Sequence, residues 1–182
     1  MFVAQKLKSE NLAEYLIYMW QTEDLLRACN LDIDIVESNY LSKFQGLNET
    51  QKEQQHKWYC ELIDMMRSEG VSKKGHLQIN KNVISELEDF HKLLIDSEKF
   101  SYYRAAYFKA LPLIIELRCK SGIEKKGELE TCFNFLYGVL LLKMKQSDIG
   151  KETQEGLQTI STYISMLCGY YKKNQESPLD FG

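Results

Sequence analysis

Proline and glycine are scarce in this chain. Two prolines and ten glycines among 182 residues leave little of the turn-forming material that a β-sandwich or barrel needs. Apolar residues instead recur with the helical period along almost the whole chain. We therefore predict an all-α protein, a compact bundle of six or seven helices, with one helical domain over residues 1–173 and a frayed C-terminal tail over residues 174–182.

Long hydrophobic runs and an excess of positive charge are also missing. No stretch approaches the roughly 18 uninterrupted apolar residues of a membrane-spanning helix, and the N-terminus lacks the apolar centre of a signal peptide. A net charge of −3 disfavours general binding to nucleic acid or to anionic membranes. These features predict a cytoplasmic protein that has neither nucleic acid nor a membrane as a partner.

Paired cysteine motifs are absent as well. The five cysteines are an odd number, they include no Cys-x-x-Cys spacing, and each falls in a predicted helix. Such cysteines usually act as small core residues in a reducing compartment. We predict reduced thiols that are mostly protected, at Cys29, Cys60, Cys119, Cys132 and Cys168.

One helix-loop-helix signature occurs twice. Residues 62–77 and 114–129 are identical at six of sixteen positions and share the pattern Gly-[Val/Ile]-x-Lys-Lys-Gly-x-Leu. A glycine followed by an apolar residue is typical of a helix C-terminus, since glycine adopts the left-handed conformation there without strain. The repeat leaves two explanations open, a duplicated helical hairpin or convergence on the same stop signal.

Six or seven helices are predicted from the periodicity and from capping residues such as Ser9 and Asn48. The number depends on whether the fourth and fifth ranges, which only residues 96–97 separate, are two helices or one long bent helix. The first and fifth carry apolar residues over most of their circumference, so we expect both to be buried on two sides. The predicted ranges are 9–29, 32–45, 49–69, 77–97, 98–120, 127–146 and 151–173.

Several runs of the chain are similar to a known bacterial family. They are Met-Phe-Val-Ala-Gln-Lys-Leu at 1–7, Gly-His-Leu-Gln at 75–78 and Glu-Thr-Cys-Phe-Asn-Phe-Leu-Tyr-Gly-Val-Leu-Leu-Leu at 130–142. Together with the run at 11–28, they resemble the domain of unknown function family 4924. The resemblance implies a cytoplasmic, all-helical bacterial protein without an assigned activity, and it transfers no catalytic residues.

Charged residues lie on the apolar faces of two predicted helices. Glu23 and Arg27 share the face of Trp20, and Arg104 and Arg118 lie on the aromatic face of the fifth helix. Because a buried charge is costly unless it is paired, Glu23, alone or together with Asp24, is expected to meet at least one of these arginines.

Two interpretations of these charges stay open. One is an internal ion-pair network that sets the helix register. The other is a pocket for a small organic anion such as a carboxylate or phosphate. The candidate ligand-binding residues are Glu23, Arg27, Arg104, Arg118, Tyr103 and Tyr107.

Two Glu-x-x-His motifs raise the question of a metal. They are Glu53 to His56 and Glu88 to His91, and paired motifs of this kind hold iron in some four-helix bundles. Helical projection turns Glu53 about 160° away from the apolar face of its helix, which disfavours a shared site. We therefore predict no metal and no cofactor. His91 is interpreted as a core or interface residue and His76 as a solvent residue near a helix start.

No catalytic motif decides the function. The chain lacks a phosphate-binding glycine loop, a dinucleotide fingerprint and a Gly-x-Ser-x-Gly nucleophile motif. Two classes remain, a non-enzymatic helical module that acts through protein–protein contacts as a homo-oligomer, and an enzyme or small-molecule binder that uses the arginine and aromatic region. Eleven tyrosines favour the first slightly, because tyrosine is enriched in protein interfaces.

Overall fold

The computed structural model describes residues 1–44, 46–121 and 127–182. Within these ranges the chain forms eight α-helices and no strand, which confirms the all-α class and exceeds the predicted number of helices. None of these helices combines the length and apolar content that crossing a bilayer requires. The helices are α1 Phe2–Glu10, α2 Leu12–Ala28, α3 Ile33–Asn39, α4 Glu49–Ser68, α5 Gln78–Asp96, α6 Ser101–Ser121, α7 Glu128–Met144 and α8 Lys151–Glu176.

The chain divides into two compact units. Unit 1 comprises Met1–Glu10 and Glu14–Asn82, and unit 2 comprises Asn11–Ala13 and Val83–Gly182. Unit 1 holds α1, α3, α4 and most of α2, whereas unit 2 holds α6, α7, α8 and most of α5. A single domain over residues 1–173 stays a prediction.

The first predicted helix is in fact two helices. Ser9 was expected to cap its start, but Ser9 lies inside α1 and its hydroxyl donates to the carbonyl of Lys6 at 2.8 Å. The break falls at Asn11, whose side-chain oxygen accepts from the backbone N–H of Ala13 at 3.1 Å. Asparagine side chains that bond to the backbone in this way compete with the helical ladder, so they favour helix starts.

The ends of α4 follow the sequence rules. Asn48 and Gln51 form the predicted capping box at its start, each side chain bonding to the other's backbone N–H. At its end Gly70 has φ +69°, and the N–H of Val71 donates to the carbonyl of Met66 at 3.0 Å. This is the glycine stop predicted for the first copy of the repeat. In the second copy, residues 122–126 lie outside the described residues, so the duplication stays a prediction.

In unit 2, α8 packs along α6 and α7. Gly156 of α8 is buried where a Cβ atom would lie 3.0 Å from Leu113 of α6 and 3.4 Å from Phe135 of α7. The helix runs to Glu176, three residues beyond the predicted end. The residues that follow are held by Asp180, whose carboxylate lies 2.5 Å from Lys99 Nζ, and by Phe181, whose ring packs against those of Phe90 and Phe100.

All five cysteines are free thiols in the described structure. Cys29, Cys132 and Cys168 are buried, as expected of core cysteines, and Cys60 is half-buried. Cys119 is exposed on α6, so the expectation of protection does not hold for this residue.

Candidate functional site

The Glu23 carboxylate is the most deeply buried charge in unit 1, with 1% of its side chain exposed. Its Oε1 accepts from the backbone N–H of Leu77 at 2.9 Å and from the side-chain amide of Asn80 at 2.7 Å. Its Oε2 lies 2.7 Å from His76 Nδ1. A carboxylate only accepts hydrogen bonds, so Nδ1 of His76 carries a proton and donates it. Three donors therefore offset the cost of burying this charge.

Arg27 lies one helical turn after Glu23 and binds the loop between α4 and α5. Its Nη2 is 3.9 Å from Glu23 Oε2, and its Nη1 donates to Asp24 at 2.7 Å. The guanidinium also binds two backbone carbonyls. Its Nη2 and Nε donate to the carbonyl of Val71 at 3.2 and 3.4 Å, and Nη2 also donates to the carbonyl of Gly75. The expected contact between Glu23 and an arginine is thus present, and Arg27 has Asp24 as a second acidic partner.

The position of His76 differs from the prediction. It was expected in solvent, but only 20% of its side chain is exposed and its ring stacks on that of Trp20, with centroids 3.9 Å apart and planes 13° apart. The fully buried indole covers one face of the imidazole while Glu23 holds its Nδ1. A histidine near a helix start can therefore point inward when an aromatic residue and a carboxylate lie on the facing helix.

Together these contacts hold the loop between α4 and α5 against α2. Glu23 receives donors from residues 76, 77 and 80, Arg27 donates to residues 71 and 75, and Glu69 accepts from the N–H of Gln78 at 2.7 Å. The first N–H groups of a helix have no intrahelical partner, and carboxylates stabilise them. The arrangement therefore positions the start of α5 against α2 and uses both oxygens of Glu23 internally.

A second polar cluster surrounds His91 in unit 2. The hydroxyl of Tyr103 lies 2.5 Å from His91 Nδ1, and the hydroxyl of Tyr163 lies 3.2 Å from the same atom. The ring of Tyr107 packs edge-on against the imidazole at 4.7 Å, and its hydroxyl donates to Glu128 Oε2 at 2.9 Å. His91 is thus a partly buried histidine within a ring of tyrosines, in agreement with its predicted role as a core or interface residue.

Burial governs the protonation of this cluster. Desolvation lowers the pKa of His91, against the opposing attraction of Glu128. Desolvation also raises the pKa of Tyr107 to about 12 and raises the pKa values of Tyr103, Tyr163 and the Cys132 thiol. A neutral imidazole therefore accepts a tyrosine hydroxyl at neutral pH, and neither a tyrosinate nor a thiolate is available as a nucleophile.

The outer face of α6 contradicts the expectation that this helix is buried on two sides. Tyr103, Ala110 and Ile114 are buried along one side. On the opposite side Tyr102 is 82% exposed, Phe108 53% and Ile115 51%. A helix with apolar residues all round was taken to be enclosed by protein, but here part of that apolar surface remains uncovered.

The exposed apolar residues of α6 form one continuous surface, which we call the α6 stripe. Projected at about 100° per residue, they fall within an arc of about 140°. Exposed Lys109 and Glu116 lie about 20° apart at one edge of that arc. The stripe consists of Tyr102, Ala105, Phe108, Pro112, Ile115 and Cys119.

The sequence profile of a family described as Domain of unknown function (DUF4924) matches residues 1–177. The chain belongs to the DUF4924 family. The match covers nearly the whole chain and confirms the resemblance noted from the sequence. No curated protein and no solved structure shows significant similarity to the chain. Membership in a family of unknown function therefore assigns no chemistry to either polar cluster.

The six predicted ligand-binding residues are divided between the two units. Glu23 and Arg27 lie in unit 1 within the network described above. In unit 2, Tyr103 and Tyr107 belong to the His91 cluster, and Arg104 and Arg118 are half-buried on α6. The use of these residues as a binding site stays a prediction.

The two Glu-x-x-His motifs belong to different units. Glu53 and His56 are exposed on α4 in unit 1, as their helical projection indicated. Glu88 is half-buried in unit 2, and burial raises the pKa of its carboxyl group. Among the described residues, no group of three or more histidine, cysteine or carboxylate side chains has the arrangement needed to hold a metal ion.

Two side-chain partners of Glu23 were missed from the sequence, namely His76 and Asn80. Trp20, which stacks on His76, was correctly placed on the helix face of Glu23. Asn80 lies in the first turn of α5, where its side chain can reach groups around the helix start. The separation of 53 residues between Glu23 and His76 had no local signal.

Proposed function

We propose that this protein is a non-enzymatic bacterial module that acts in the cytoplasm through protein–protein contacts, and that the α6 stripe is the contact surface. The observation that carries the proposal is a row of large apolar side chains left in solvent along one helix. Contiguous exposed apolar patches are uncommon on soluble monomers and usually mark interaction sites.

The composition of the stripe suits an interface. Tyr102 and Phe108 are aromatic residues of the kind enriched at interface centres, and they lie on a regular helix. Because the helix backbone is already ordered, binding costs less conformational entropy than ordering a loop would. The two polar clusters favour the same proposal, because the groups that could react are held by internal partners or kept neutral by burial.

A photo-crosslinking experiment tests the proposal. A photoreactive phenylalanine analogue replaces Tyr102, and the variant is expressed in the native bacterial host. Irradiation should give one adduct of discrete mass, because a partner covers the stripe in the cell. Ile115→Asp, a charge placed within the stripe at a half-exposed position, should abolish that adduct without unfolding the protein.

The matched control places the same analogue at Met144, which is 63% exposed at the end of α7 and lies outside the stripe. The control should give no discrete adduct. Absence of an adduct at Tyr102, or equal adducts at both positions, would contradict the proposal.

A second candidate function is the binding of a small organic anion beside the His91 cluster. Its support is Arg104, a half-buried arginine that follows Tyr103 in α6 and makes no hydrogen bond or ion pair with the described residues. Guanidinium groups bind carboxylates and phosphates strongly. A thermal-shift screen against such compounds tests this candidate, since a ligand of the folded state raises its stability. Arg104→Ala should abolish any shift.

A further inference from the structure

We propose that the partner at the α6 stripe is a second copy of this chain, and that the two α6 helices pair antiparallel with their crossing point at Pro112. This inference rests on the proposed function and names its partner. It is carried by the order of apolar and charged residues along the exposed face of the helix.

The exposed face of α6 has a seven-residue repeat. Ala105, Pro112 and Cys119 form its central line, with Phe108 and Ile115 on one side. The line on the other side contains Tyr102, Lys109 and Glu116. Helices that pair with other helices show this pattern, in which two apolar lines and a charged line each repeat every seven residues.

Antiparallel pairing about Pro112 makes this pattern complementary to itself. A two-fold axis through the crossing point places each lateral line of one helix beside the same line of the second copy. Paired positions then lie at equal distances before and after Pro112, or at distances that differ by one residue, a rise of about 1.5 Å. Phe108 then meets the Ile115 of the second copy, and Ala105 meets its Cys119. Lys109 meets the Glu116 of the second copy, and the symmetry repeats each contact.

The charges also select the direction of pairing. Two parallel helices in register would place Lys109 beside Lys109 and Glu116 beside Glu116, which is unfavourable. Glu116 is bound within its own helix by Lys120, with Nζ and Oε1 2.5 Å apart. Both groups are exposed, and a carboxylate accepts several donors, so this pair leaves Glu116 able to accept from a second lysine. In the described part of the chain, Lys109 has no acidic partner of its own.

Charge reversal tests the pairing directly. Sedimentation velocity on the full chain should show a dimer over a dilution series. Lys109→Glu should raise the dimer Kd by about tenfold or more, because two attractive contacts become repulsive. Glu116→Lys should weaken the dimer similarly, and the double variant should restore it. Lys81→Glu makes the same change of charge at an exposed position in unit 1 and should leave the Kd unchanged.

Cysteine crosslinking tests the crossing point independently. Pro112→Cys in a Cys119→Ser background should form an intermolecular disulfide on mild oxidation, because facing Cα atoms at a helix crossing lie within about 7 Å. Two Cys119 residues would lie about 21 Å apart in the antiparallel pair at a rise of about 1.5 Å per residue. The native sequence should therefore form no such disulfide.

Different failures have different meanings. A monomer at every concentration overturns the homodimer, and an adduct of other mass at Tyr102 would then still support the proposed function. A dimer with a rapid Cys119 disulfide, or one that the double charge reversal fails to restore, overturns the antiparallel arrangement. A dimer that Ile115→Asp leaves intact overturns the use of the stripe.

Discussion

Replacing Glu23 gives the sharpest test of the network in unit 1. Glu23→Ala removes the acceptor for the N–H of Leu77, the amide of Asn80 and Nδ1 of His76. A hydrogen bond to a charged group is worth about 1.5–3 kcal/mol. Arg27 keeps Asp24 and its carbonyl partners, and half-buried His76 regains water. We therefore expect a net loss of about 3–5 kcal/mol, the usual cost of breaking a buried charge pair.

Glu23→Gln separates the charge from the shape of the side chain. Its amide oxygen can still accept from Leu77 and Asn80, while its amide nitrogen faces Nδ1 of His76, which must change tautomer to accept. The expected loss is smaller, about 1–2 kcal/mol. The control is Glu37→Ala at an exposed position of α3, where the change in stability should stay within about 0.5 kcal/mol.

Urea denaturation followed by tryptophan fluorescence is the appropriate assay. Both tryptophans, Trp20 and Trp58, lie in unit 1, so the signal reports the unfolding of that unit. Trp20 also stacks on His76, which makes its emission sensitive to the network itself. A Glu23→Ala protein within about 0.5 kcal/mol of the wild type would refute the account of a carboxylate held by buried donors.

Three further predictions concern unit 2. Because burial lowers the pKa of His91 below its unfolded value, the unfolded state binds more protons, so the stability of the wild type should fall as pH drops below about 6.5. His91→Gln should reduce this loss relative to the wild type in denaturant titrations across that range. Gly169→Ala, with open space around its Cβ, should stabilise α8 by about 0.5–1 kcal/mol. Gly156→Ala should cost about 1 kcal/mol, because its Cβ meets Leu113 at 3.0 Å, and thermal unfolding compares the two. Exposed Cys119 should react with a thiol reagent before buried Cys132 in dilute native protein, and equal rates by mass spectrometry would contradict the burial described.

Local signals predicted the parts of the fold that depend on neighbouring residues. The capping box at Asn48 and the stop at Gly70 both arise within a few residues of sequence, and both are present. The burial of Glu23 followed from its place on an apolar helix face, since a charge there has to find partners. The contact with Arg27 followed from the spacing of one helical turn.

Predictions that depend on distant partners were less successful. The inward turn of His76 required a tryptophan and a carboxylate 53 and more residues away. The α6 stripe was misjudged for a related reason. Periodicity shows that a helix face is apolar, but whether the same chain or a partner covers it depends on the tertiary arrangement. This helix was therefore expected to be buried on two sides, whereas the core does not reach Tyr102 and Phe108.

The way Glu23 is held has an evolutionary consequence. One carboxylate serves a ring nitrogen, a backbone N–H and a side-chain amide at once, so a replacement at position 23 leaves the groups at positions 76 and 80 without their acceptor. A variant in which only one of these three positions has changed is therefore a less stable protein. Members of the family should accordingly either retain glutamate, histidine and asparagine together at these three positions or have replaced them together, with an apolar set in their place.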